Sequence, residues 1–139
     1  MEISLVRKRL TDTIDRAKKQ AAARRGRTEQ ATRDFEVFLQ KIAVPLMRQL
    51  ANALKADGYA FTVFTPSDSV RLMSDRSADD FLELSLDPSA ETPQVSARIS
   101  RTRGGRVLDA ERAVGAPAEV SEEQLLDFLL KELEAFVER

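Results

Sequence analysis

The chain has 139 residues, a length suited to one domain, and it contains no Cys, His or Trp. Without thiols or imidazoles it can form no disulfide or zinc–thiolate cluster. It also lacks the commonest nucleophile and base, so any catalysis would fall to Asp, Glu, Lys, Ser, Thr or Tyr59. The net charge of −1 hides a polarity: residues 1–57 carry 13 Lys/Arg against 7 Asp/Glu, while residues 109–139 carry 3 against 9.

These features direct the reading toward a non-enzymatic protein without cofactor or metal. No apolar run nears the roughly 18 residues of a membrane-spanning helix. The opening MEISLVRKRL lacks the apolar core of a secretory signal. The expected setting is cytoplasmic, away from membranes. The opposed charges are expected to neutralise one another within the chain or across a dimer.

The expected fold class is α+β: a long N-terminal helix or helix pair, a four- or five-stranded antiparallel meander, and a C-terminal helix packed on one face of the sheet. One domain is expected over residues 1–139. In chain order its parts are a basic helical arm at 1–27, a kinked helix at 28–57, a sheet at 58–114 and a helix at 120–138.

Ile3, Val6, Leu10, Ile14, Ala17 and Ala21 recur at steps of three or four, which predicts a helix with one thin apolar face. The stripe fades into ARRGRTEQATRD. There Gly26 either breaks the helix, with Thr28 capping a new one, or is tolerated at a cost of about 1 kcal/mol. From Phe35 through Leu54 the stripe strengthens and keeps its phase across Pro45, so a kink is expected near Val44. Asp57-Gly58 supplies the stop.

Beyond Gly58 the period falls to two. Tyr59–Phe64, Val70–Ser74, Phe81–Asp87, Gln94–Arg101 and Arg106–Arg112 read as strands, and Gly104-Gly105 reads as a tight hairpin turn. Ser121 and Gln124 form a capping box, with Val120 and Leu125 as its hydrophobic staple. Leu125, Leu129 and Leu133 then lie on the apolar face of the last helix.

Few constellations invite chemistry. Asp75–Asp80 has the oxygens of a calcium loop at positions 1, 3 and 5. It lacks both the glycine at position 6 and the bidentate glutamate at position 12, which reduces it to an acidic loop. Ser67-Asp68-Ser69 reads as a turn, since no Lys lies between residues 56 and 130 to act as base.

The basic groups carry more weight: Lys18, Lys19, Arg24, Arg25 and Arg27 on the arm, and Arg98, Arg101, Arg103 and Arg106 about the hairpin. The leading expectation is an interaction module, an adaptor or small chaperone-like protein, meeting a second copy or another protein partner through residues 1–57. A second reading is nucleic-acid binding through the two basic groups, against which stand a pI near 5.6 and no aromatic residue among the arginines. A third is a ligand-binding or enzymatic pocket between sheet and helices, lined by Phe61, Phe64, Met73 and Phe81.

Overall fold

The computed structural model describes residues 1–89 and 91–137. A single run of helix extends from Ile3 to Ala56. It comprises α1 (Ile3–Phe38), one π-helical turn (Leu39–Ala43) and α2 (Val44–Ala56). Five strands follow, β1 (Phe61–Phe64), β2 (Val70–Ser74), β3 (Phe81–Asp87), β4 (Gln94–Arg103) and β5 (Arg106–Gly115), and then α3 (Glu122–Val137). The expected end of the last helix at residue 138 lies outside the described residues.

The helix-pair alternative is thus replaced by one uninterrupted helix. Good helix formers on both sides of Gly26 propagate the ladder through it, and this outweighs the local cost of one glycine. A Cβ at position 26 would meet nothing within 4 Å. Gly26→Ala is therefore expected to favour the helical arm by about 1 kcal/mol. Amide exchange over residues 3–25 should slow about fivefold. The denaturation midpoint of the core should stay in place, because the arm before residue 30 supplies no buried residue to it.

Next to the kink expected near Val44, the helix carries a π turn. Pro45 has no N–H, and in a regular α-helix its ring would crowd the carbonyl of Lys41. The turn holding Lys41 is widened instead, with the Val44 N–H bonding the Leu39 carbonyl five residues back. Across the bulge the buried row steps by five, from Phe38 to Ala43, and then continues at Leu46, Met47 and Ala51. The run ends as expected at Gly58, whose φ of +90° lets Tyr59 N donate to Leu54 O at 2.8 Å and Gly58 N to Lys55 O at 3.1 Å.

The strands form an antiparallel meander in the order β1-β2-β3-β4-β5. Gly104 and Gly105, both with positive φ, close the β4–β5 hairpin between Arg103 and Arg106. One face of the sheet carries Val70, Leu72, Leu82, Leu84, Val95, Ala97 and Ile99 into a core with Phe35, Phe38, Met47, Leu125 and Leu129. The long helix from Ala31 onward and α3 cover this face side by side. The capping box of α3 forms in both directions, Gln124 N to Ser121 Oγ at 3.2 Å and Ser121 N to Gln124 Oε1 at 3.0 Å. Among the described residues no helix is long and apolar enough to cross a membrane.

Candidate interaction surface

The core reaches along the long helix only as far as Ala31. Every residue from Met1 to Gln30 is exposed except Ala21 and Thr28, which are half-buried. Gln20 to Thr28 border the loop before β4, and the arm ahead of them projects by about 30 Å, at about 1.5 Å per residue. Ile3 is 76% exposed, Leu10 57% and Ile14 43%, with Leu5 and Val6 similarly bare. The free end of the arm is uncapped: the Glu2 side chain makes no capping bond, and no acid stands in the first turn to meet the helix dipole.

The stripe on this arm is a continuation of the core stripe. Ile3, Leu10, Ala17, Arg24, Ala31 and Phe38 fall at steps of seven, as do Ile14, Ala21, Thr28 and Phe35. The last members of both rows are buried in the core, and the first members are in water. In a straight α-helix a seven-residue row drifts by about 20° per repeat, and a second helix follows it by winding left-handed. This regularity was legible in the sequence. Gly26 and the polar run around it divide the pattern into two apparently separate pieces, and only the step of seven joins them.

The two basic groups occupy different places. Lys18, Lys19, Arg24, Arg25 and Arg27 are all exposed on the arm. Arg24 and Arg27 face a polar groove of about 600 Å³ shared with Gln20, Ser89, Glu91 and Pro93, at the start of β4. Arg103 and Arg106 stand at the other end of that ten-residue strand, about 30 Å away. Arg98 and Arg101 are three apart on β4 and so point to opposite faces. Arg101 lies on the α3 side, near Arg112, Lys131 and Glu132. The fold does not assemble the nine residues into one patch.

Arg98 is already engaged on the uncovered face of the sheet. There Arg71, Glu83, Arg98 and Glu111 stand in register across four strands with alternating sign. Arg71 pairs with Glu83 at 3.2 Å, and Arg98 forks onto Asp109 with a shortest contact of 2.9 Å. Both guanidinium groups cover the Phe81 ring, 4.1 Å and 5.5 Å from its centroid, leaving that phenylalanine 6% exposed on an otherwise wet face.

The Arg98 guanidinium, chiefly through its hydrogen bonds, holds the Asp109 carboxyl below the ordinary Asp range. A carboxyl depressed in the folded state adds stability above its unfolded value, and this stability is lost as pH falls through the folded value. Wild type is therefore expected to lose slightly more stability than Asp109→Asn between pH 5 and pH 3. Urea midpoints across that range check it, and the effect is small because both partners are about half exposed.

The phenylalanines of the pocket reading are likewise divided. Phe61 faces the core and meets the Phe136 ring edge-on at 6.1 Å. Phe64 and the register pair Met73–Phe81 lie on the opposite face. The acidic loop is tied up internally: Asp75 Oδ1 accepts from Thr62 Oγ1, and Asp80 Oδ1 from Thr102 N, both at 2.6 Å. Among the described residues no group of three or more His, Cys, Asp or Glu is placed to hold a metal ion. The Ser67–Ser69 segment is a tight turn in which Ser69 Oγ bonds Pro66 O and Glu83. No protein-family model, no curated protein and no solved structure matches the chain.

Proposed function

We propose that this protein is a non-enzymatic interaction module whose N-terminal helix is its docking element, and that it self-associates through that helix. The observation that carries the reading is the stripe of Ile3, Val6, Leu10 and Ile14, all exposed on the distal half of the arm. A lone helix of this kind is marginal in water, and most helical stability in proteins comes from packing an apolar face. Contiguous exposed apolar surface of this sort marks a contact site.

Helix-on-helix packing suits the seven-residue step, which is the spacing that keeps a seam facing a partner helix. The absence of His and Cys and the internal engagement of Arg98, Asp75, Asp80 and Glu83 fit a binding role better than a reaction. Light scattering on the full chain tests the reading. The expected mass is twice the 15.6 kDa of one chain. A strictly monomeric species with a helical N-terminus would overturn it.

A further inference from the structure

We propose that the surface receiving the arm is the groove between α2 and α3 of a second copy, exchanged reciprocally. This rests on the reading that the arm self-associates, and it names what the arm meets. Two arms pairing with one another is the simplest alternative. Residues 1–27 carry nine Lys/Arg against three Asp/Glu, so arm-on-arm packing brings like charges together along its whole length. The heptad row also puts Arg24 in the seam.

The chain contains a better partner for a basic, thinly apolar helix. Residues 130–137 of α3 lie beside residues 50–59, and Tyr59 Oη bonds the Val137 carbonyl. Between them runs a groove of about 340 Å³ whose walls are mainly apolar, including Leu50, Leu54, Leu130 and Val137, with Asp57 and Glu134 at the rim. Leu130 is 49% exposed, an unusual position for a leucine in the middle of a helix that buries Leu125, Leu129 and Leu133. It lies in one line with exposed Glu123, Asp127 and Glu134, at helical steps of four, three and four.

The charges are opposite in sign. Residues 122–137 hold five Asp/Glu and one Lys, for −4, and residues 44–57 hold Arg48, Lys55 and Asp57, for +1, so the two walls carry −3, while arm residues 3–21 hold six Lys/Arg and two Asp, for +4. Such complementarity selects the partner and its orientation.

The groove cannot receive its own arm. Leu10 and the groove sit near opposite ends of one helical run, about 60 Å apart along its axis. The same separation makes exchange between two copies natural. When two long helices lie antiparallel, each arm tip reaches the other copy's groove, and the contact closes as an isologous dimer with no free docking surface.

The chain has no cysteine, so single engineered thiols report the contact directly. Full-length L10C and L130C proteins are prepared separately and oxidised alone and as a mixture, with masses followed by light scattering. Both positions are exposed, so neither change disturbs the core. The expected result is a disulfide-linked dimer in the mixture only, and in the double variant L10C/L130C a covalent species that stops at two chains. A dimeric mass without the mixed disulfide, including one in which L10C cross-links to itself, overturns the groove while leaving self-association through the arm. A ladder of higher species from the double variant overturns reciprocal exchange. A monomeric mass throughout removes both this proposal and the one it rests on.

Discussion

Phe38→Ala is expected to destabilise the protein by about 3–5 kcal/mol, the usual range for removing a buried phenylalanine and leaving its cavity. Phe38 is 1% exposed and stacks against Phe35 with ring centroids 6.0 Å apart. It occupies the last α-helical position before the π turn, where the helix changes its winding. The buried core it joins comes from three strands, β2 to β4, and α3, whose positions are fixed by sheet pairing and by capping, so the space cannot collapse easily.

A typical domain has a total stability of about 5–15 kcal/mol, so the variant should be marginal or unfolded at room temperature. Urea denaturation followed by circular dichroism measures the loss. A loss under about 1 kcal/mol would mean that Phe38 does not anchor the helix to the sheet.

The second large effect is on association. Replacing Leu10 and Ile14 together by Asp removes two apolar side chains from the proposed contact and puts charges in their place. Fully burying such a side chain is worth about 1.5–3 kcal/mol, and about half of each is still exposed here, so each arm loses about 1.5–3 kcal/mol and the two arms of a dimer about 3–6 kcal/mol. At 1.4 kcal/mol per tenfold this weakens self-association more than a hundredfold. Sedimentation equilibrium on the full chain should show a monomer at concentrations where the wild type is dimeric. At concentrations below the wild-type dissociation constant the urea midpoint should not move, because neither residue packs against the body of its own chain. An unchanged dissociation constant would exclude the arm as the contact. The two variants act on opposite ends of one apolar stripe: Phe38→Ala damages the fold, and the arm variant leaves it intact.

Several elements were legible before any coordinates. β2 and β3 begin and end where the alternation of apolar and polar residues places them, at Val70–Ser74 and Phe81–Asp87. The Ser121–Gln124 box, the stop at Gly58 and the Gly104-Gly105 turn form as their residues predict. β4 and β5 run two and three residues further than expected, because once paired across the hairpin their ladder continues through Thr102 and past Arg112. The candidate site was half legible. The arm and its charge could be read from composition and periodicity, but the grouping of the nine basic residues could not.

The sequence by itself determined what depends on neighbours within a turn or two: caps, turns, strand alternation, and an amphipathic arm with a basic flank. These are local interactions, satisfied within about five residues, so the residue types at that spacing are sufficient. The tertiary structure decided the rest. It carried the helix unbroken through Gly26 and absorbed Pro45 in a π turn. It sent the two arginine groups to opposite ends of β4 and spent Arg98 on Asp109 and Phe81. Each of these outcomes depends on pairing register or helix propagation across tens of residues, where the balance is set by which distant groups meet. That the basic arm ends in water, with its apolar row still running and an acidic groove at the far end of the same helix, follows from that long-range arrangement.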